Sequence, residues 1–338
     1  MEQINNTARV SYEYLEEHKV AVACTLTAAC ALWALRRYSQ GGVCRSTVKL
    51  HNLTVLITGS NTGIGKETAK DLAGRGARVI LACRDMKRAN EAADDIKRST
   101  GNSNVVVYKL DLSSLKSVRA CAKEVLEKED RLDILVNNAG VMWTPQWKTE
   151  DGLELQMGTN HLGHFLFTNL LLDLIKKSAP SRIVTVSSLG HTFVKHLDLD
   201  DLNSEKSYSP VMAYSQSKLA NILFTRELSR RLKGTGVVTA SLHPGAVATE
   251  LLRYINEYNI CIRIPVLIFY HAFFKFFCKT PTAGAQTSLH CALAPEVERQ
   301  SGKYFSDCAV KDPSKLAQDD ELAAKLWTVS EKMVGLAD

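Results

Sequence analysis

No CxxC pair occurs in the 338-residue chain, and no Cys or His cluster stands at metal-ligand spacing. The common structural zinc modules are thereby excluded. The nine cysteines are odd in number and irregularly spaced, so no disulfide framework is indicated. They are expected as reduced thiols, mostly filling the core. Long blocks of like charge are missing too. The formal charge of +6 is spread among acids, without the basic runs that track phosphate backbones, and nucleic acid is not an expected partner. There is no Pro/Gly-rich linker between structured units, no internal repeat and no low-complexity tract. The length suffices for one large α/β domain with a real core.

What is present begins with an apolar run. Lys19 to Leu35 is almost free of polar residues and is closed by Arg36-Arg37. A bilayer crossing needs about 20 residues, and flanking Lys and Arg can snorkel to extend a slightly short run. A buried or interfacial helix is the alternative. A cleaved signal peptide fits less well, because the polar, acidic stretch from Tyr12 to His18 stands where a short basic region belongs. The expected organisation is a tail at 1–18, a membrane anchor at 19–37, a linker at 38–52 and the main domain at 53–338. Glu2, Glu13, Glu16 and Glu17 precede the anchor, whereas Arg36, Arg37, Arg45 and Lys49 follow it. The positive-inside rule then puts the main domain in the cytosol. Asn5-Asn6-Thr7 would be a lumenal glycosylation acceptor, and Asn52-Leu53-Thr54 would stay unmodified.

From Thr54 onward short apolar strands alternate with helical stretches: TVLIT, a helix from Gly65 to Arg75, ARVILAC, VVVYKL, a helix around Leu115 to Glu129, DILVNN, a helix near Asn160 to Lys177, RIVTVSS, a helix through Tyr214 to Leu232, and VVTASLHPG. Continuous apolar strands separated by helices predict a doubly wound parallel sheet of Rossmann type, in a single α/β domain behind the N-terminal anchor helix. Leu251 to Lys279 breaks the alternation. It is rich in apolar and aromatic residues but interrupted by Arg263, Pro265, His271 and Lys275, which argues against a second span. Two readings stay open: a core helix, or an apolar substrate lid that also touches the bilayer surface.

The first strand runs into Thr58-Gly59-Ser60-Asn61-Thr62-Gly63-Ile64-Gly65. Glycines at a strand-to-helix turn let the backbone approach a pyrophosphate at the helix N-terminus, although this spacing differs from GxGxxG. The second strand ends at Cys83-Arg84, so the position of a ribose-binding acid holds a cysteine, and a guanidinium follows. Arg84 favours a 2′-phosphate and hence NADP(H), while Asp85 pulls the other way and a solvated surface arginine is the plainer alternative. Tyr214 and Lys218 are four residues apart on a predicted helix and share a face. An adjacent cation is expected to draw the phenol toward a working range.

Taken in order, Thr58 to Gly65, Asn137-Asn138-Ala139-Gly140, Asn160, Ser187-Ser188, Tyr214 to Lys218 and Pro244-Gly245 resemble the short-chain dehydrogenase/reductase family. Closer phrases such as NTGIGKETAK, NNAGVM, NHLGHFL, SKLANILFT and GAQTSLHCAL are similar to its retinol dehydrogenase-like branch. The resemblance implies Tyr214 as general acid/base, Lys218 as the group that tunes it and holds the nicotinamide ribose, Ser188 on the substrate oxygen, and Asn160 in a proton relay. It places the cofactor along Gly59, Ser60, Asn61, Thr62, Gly63, Ile64, Gly65, Arg84, Asp111, Leu112, Asn138, Ala139, Gly140, Tyr214, Lys218, Pro244, Gly245 and Thr249. For Asn160 and Asp111 a turn or cap role remains the alternative, and Ser187 is expected to bond locally. The long gap between Ser188 and Tyr214 is expected to form a rim of the substrate mouth. Its acids Asp198, Asp200 and Asp201 read as an acidic loop face, and no metal is expected.

The resemblance further implies a membrane enzyme that passes hydride between NADP(H) and a retinoid, with reduction favoured. Steroid or lipid-aldehyde reduction is the alternative within the class, and a catalytically silent membrane-tethered scaffold the alternative outside it. An endoplasmic reticulum membrane is the expected location, a mitochondrial one the alternative. A homodimer is admitted.

Overall fold

The structure, a computed structural model, describes Glu16, residues 18–270 and residues 275–337. The tail with its Asn5-Asn6-Thr7 acceptor, and His271, lie outside the described residues. Two compact units are present, 1–41 and 42–338. The first contains helix α1 (Lys19–Ser39), long and apolar enough to cross a membrane, with none of its residues buried.

The second unit begins at Gly42 rather than at Leu53, because the expected linker is already packed. The Cys44 amide donates to Gln286, Arg75 donates to the carbonyls of Ser46 and Val48, and Leu50 is buried. The elements then follow as β1 (Thr54–Thr58), α2 (Gly63–Gly74), β2 (Arg78–Cys83), α3 (Met86–Thr100), β3 (Val105–Lys109), α4 (Leu115–Lys128), β4 (Ile134–Asn137), α5 (Gly163–Lys177), β5 (Ser181–Val186), α6 (Pro210–Arg231), β6 (Val237–His243), α7 (Ile260–Phe269), α8 (Pro281–Leu293), β7 (Lys303–Ser306), β8 (Ala309–Val310) and α9 (Asp320–Met333).

The strands form one sheet in the order β3-β2-β1-β4-β5-β6-β7-β8, parallel except for the terminal β7–β8 pair. Alternate residues of one strand serve opposite faces. Leu56 of β1 joins a core with residues of α4, α5, α6 and α9, while Val55 and Ile57 join a second core with α2, α3 and α8. This two-sided burial is why the strands read as unbroken apolar runs. The order reverses between β1 and β4, and the carboxyl ends of those strands open a crevice there, where ligands bind in such sheets.

Four departures from the sequence reading have local causes. Helix α5 is entered through Leu155–Met157 and a π-turn, Gly158–Leu162, that carries Asn160. The segment after Ser188 does not rim a cavity beyond Leu189. Its Tyr208 hydroxyl instead donates to the Thr144 carbonyl, and Asp198 and Asp201 are engaged by backbone amides of their own loop. The Leu251 to Lys279 stretch does not form a core helix, since none of the described side chains of α7 is buried, although Ile255, Cys278 and Lys279 at its two ends are. Finally, of the cysteines only Cys83, Cys121, Cys278 and Cys291 are buried, so most are not core fillers.

At the β2–β3 edge a buried carboxylate ties three elements. Glu129 accepts from Arg78 Nε at 2.7 Å and Nη2 at 2.8 Å, and from the Tyr108 hydroxyl at 2.5 Å. Burial and that carboxylate push the Tyr108 phenol up to about 12, so it remains a donor. Glu129→Gln leaves Arg78 without its counter-charge and is expected to lower the unfolding free energy by about 2–4 kcal/mol, measured by urea denaturation in detergent. A loss within error would show that the carboxylate is dispensable.

Candidate active site

The crevice deepens into a cavity of about 810 Å³, within the size range of cofactor and ligand sites. One end is shaped by the turn after β1. Gly59 has φ +63°, and a Cβ there would lie 2.8 Å from the Ala139 Cβ. A Cβ on Gly65 would lie 2.5 Å from Asn138 Nδ2 and 2.6 Å from the Gly59 carbonyl. Only glycine fits at either position, and the resulting cradle of open backbone amides at the N-terminus of α2 suits a pyrophosphate. Asn61, Thr62, Gly63 and Ile64 line the same end. Ser60 does not. Its hydroxyl donates to the Ile57 carbonyl, so it braces the turn from inside instead of binding ligand.

Thr58 fixes that turn to β4. Its Oγ1 accepts the amides of Asn138 at 2.9 Å and Ala139 at 3.0 Å and lies 2.8 Å from His164 Nε2. His164 Nδ1 is 3.0 Å from the Asn160 carbonyl, which can only accept. Burial pulls this imidazole down to about 3, so it is neutral, Nδ1 carries the proton, and Nε2 accepts from Thr58. Asn160 itself is buried behind the cavity wall. Its Nδ2 donates to the Val141 carbonyl and Ser217 Oγ, and its Oδ1 accepts the Val141 amide. With every side-chain group of Asn160 engaged, any contribution to proton movement would pass through its backbone or its neighbours.

The far end carries the ionisable pair. Tyr214 and Lys218 stand one turn apart on α6, both buried, with Lys218 Nζ 5.8 Å from the Tyr214 ring centre and donating to the Val186 carbonyl at 3.1 Å. Burial pushes the phenol above its ordinary 10, the Ser188 hydroxyl opposing this by hydrogen bonding. Burial also brings the ammonium down to about 8. The net direction for the phenol is therefore upward, set by its own desolvation, and Lys218 is not among the causes of the shift.

Ser188 sits at the end of β5, and His191 Nδ1 lies 2.7 Å from its carbonyl. Ser187, expected to bond locally, instead donates to the Lys218 carbonyl on α6. Pro244, Gly245, Thr249, Leu112, Ala139 and Gly140 also line the cavity, Thr249 beside Gly63 of the glycine turn.

At the adenosine end Arg84 lines the cavity and Cys83 stands beside it. Asp85, whose charge opposed an NADP reading, lines the cavity as well and is the N-cap of α3, its Oδ1 accepting the Arg88 amide. Asp111 lines the wall, and its Oδ1 holds the Ser113 amide and hydroxyl. The sequence reading missed Arg88, which also lines the cavity and pairs with Glu250 at 2.6 Å, and His243, which accepts the Leu189 amide. Arg88 follows Arg84 at the spacing of one helical turn, and His243 directly precedes Pro244-Gly245, so adjacency to recognised motifs was the available signal. Val266 and Tyr270 of the Leu251 to Lys279 stretch also reach the cavity.

Comparison with known proteins agrees with this geometry. The profile described as short chain dehydrogenase matches residues 53–259. Human retinol dehydrogenase 11 is 52% identical over 302 residues, covering 89% of this chain and 92% of that protein. Human retinol dehydrogenase 14 is 49% identical over 340 residues, covering 94% and 99%. A crystal structure of a Mycobacterium paratuberculosis protein superposes with a TM-score of 0.68 at 36% identity, covering 87% of this chain and 98% of that one.

The depressed Lys218 makes a stability prediction. Between about 8 and the ordinary 10.5 the unfolded chain holds a proton that the folded chain has released, so stability should rise with pH across that window. The gain is expected to be about 3 kcal/mol and to vanish in Lys218→Met, measured by denaturant unfolding at stepped pH. A wild-type curve parallel to that of the variant would overturn the assignment.

Proposed function

The chain belongs to the short-chain dehydrogenase family, in its retinol dehydrogenase-like branch, and on that premise we propose that it reduces a retinoid aldehyde to the alcohol with NADPH. The observation that carries the reading is the meeting of Tyr214, Ser188 and Lys218 in one cavity with the glycine cradle. When bound, the nicotinamide supplies the hydride.

The chain's own residues do the rest. The Ser188 hydroxyl orients the carbonyl oxygen beside Tyr214. The Tyr214 phenol carries its proton at neutral pH and can donate it to that oxygen as the carbonyl carbon is reduced. Lys218, fixed on the Val186 carbonyl, compensates the phenolate that results. The residues present also fit the dinucleotide: the cradle tolerates no side chain at Gly59 or Gly65, and Arg84 and Arg88 stand where Cys83 replaces a ribose-binding acid.

A hydrophobic substrate is supported by Val266 and Tyr270 on the wall and by the relatives named as retinol dehydrogenases. Helix α1 supports a single-pass anchor, with the domain on the cytosolic side of the endoplasmic reticulum.

Tyr214→Phe should lose turnover of retinaldehyde by about 10²-fold or more while still binding NADPH by fluorescence titration. Near-normal turnover would remove the proton-donor role. Purified enzyme should also show a lower KM for NADPH than for NADH, and Arg84→Ala should shrink that ratio by about tenfold, as loss of one charge-assisted contact implies. Equal KM values in the wild type would remove the NADP assignment.

A further inference from the structure

Helix α7 exposes what a soluble surface ordinarily hides. Ile260, Ile264 and Ile268 recur at every fourth position and are 56%, 45% and 61% exposed, and Phe276 and Phe277 beyond them are 42% and 49% exposed. A spacing of four sets the isoleucines in one stripe. Of the ten residues ICIRIPVLIF only Arg263 is charged. Val266, between stripe positions, and Tyr270, just past the helix, line the cavity. One short helix thus divides between an interior that meets substrate and an exterior with no protein cover among the described residues. Contiguous exposed apolar surface of this kind marks an interaction site.

We infer that the stripe docks on a lipid bilayer and that apolar substrate enters the cavity from the lipid beside α7. The proposal rests on the reading of an apolar substrate and a membrane anchor, and three observations choose lipid as the occupant. Helix α1 is apolar enough to span, and only Gln40 and Gly41 separate its last residue from the first of the catalytic unit. A tether of that length keeps the unit at a bilayer surface whatever its orientation. Arg263 within the helix and Lys275 beyond it set positive charge beside the stripe, as helices lying at anionic interfaces do. The base of the excursion is pinned to the cofactor end: the Lys279 amide donates to the Ala246 carbonyl at 2.7 Å, and the Ala248 amide donates to the Lys279 carbonyl at 3.0 Å. Whatever α7 rests on is therefore coupled to the Pro244-Gly245 turn.

The test uses the full chain in phosphatidylcholine/phosphatidylserine nanodiscs that carry an acyl-chain diazirine, with adducts mapped by mass spectrometry. Adducts are expected on residues 260–268 as well as on 20–35, and none on the exposed Leu126 of α4. Adducts on 20–35 alone would overturn the proposal and assign the stripe to a protein partner or a second copy. The double variant I264Q/I268Q should lose the adducts at that segment. Its KM for retinaldehyde delivered from vesicles should rise roughly tenfold, with a short water-soluble aldehyde unaffected. An equal loss on both substrates would reassign the stripe to packing of the segment and equally overturn docking. If the wild type is inert on retinaldehyde, the reading of substrate fails while the photolabelling outcome still stands.

Discussion

A single hydroxyl, Thr58 Oγ1, holds the catalytic unit in register. It takes two amides from the chain leaving β4 and gives its proton to His164, whose other nitrogen grips the carbonyl of Asn160. The glycine turn after β1, the cavity wall at Asn138 and Ala139 and the π-turn into α5 are therefore set by one buried network in which each donor has an acceptor. Burial makes such a network stiff, because any unmade bond leaves a desolvated polar group. It also keeps His164 neutral, so the arrangement does not change across the physiological pH range.

The reacting end obeys the opposite logic. Tyr214 and Lys218 are buried without a counter-charge among the causes of their shifts, so the fold places two groups where their charged forms are disfavoured. The sheet absorbs that cost through two continuous cores. What results is a pair whose protonation is set by desolvation and is responsive to whatever charge enters the cavity beside it.

Most of this was legible in the sequence because its signals are local. The strands are apolar runs, Gly59 and Gly65 mark a turn that tolerates no Cβ, and Tyr214 and Lys218 are joined by helical spacing. What escaped depends on contacts between distant residues. Ser60 has the motif's position but turns inward to Ile57, and the second duty of Asp85 as a helix cap shows only in the fold. Strands β7 and β8, the pairing of Arg88 with Glu250 across the cavity, and the packing of Cys44 to Leu50 on the domain have no periodicity of their own to announce them. The direction of the Tyr214 shift was misread because burial, a property of the whole fold, outweighs the neighbour that sequence spacing reveals.

The excursion that leaves the sheet after Ala248 returns to pair with its own starting point at Lys279. Because entry and exit are stitched together, the path of the strands does not depend on the length of what lies between them, while Glu250 at its start still pairs with Arg88 on the cavity wall. Diversification of substrate range in a scaffold like this can then proceed by exchanging one segment, while the machinery that moves the proton is inherited unchanged.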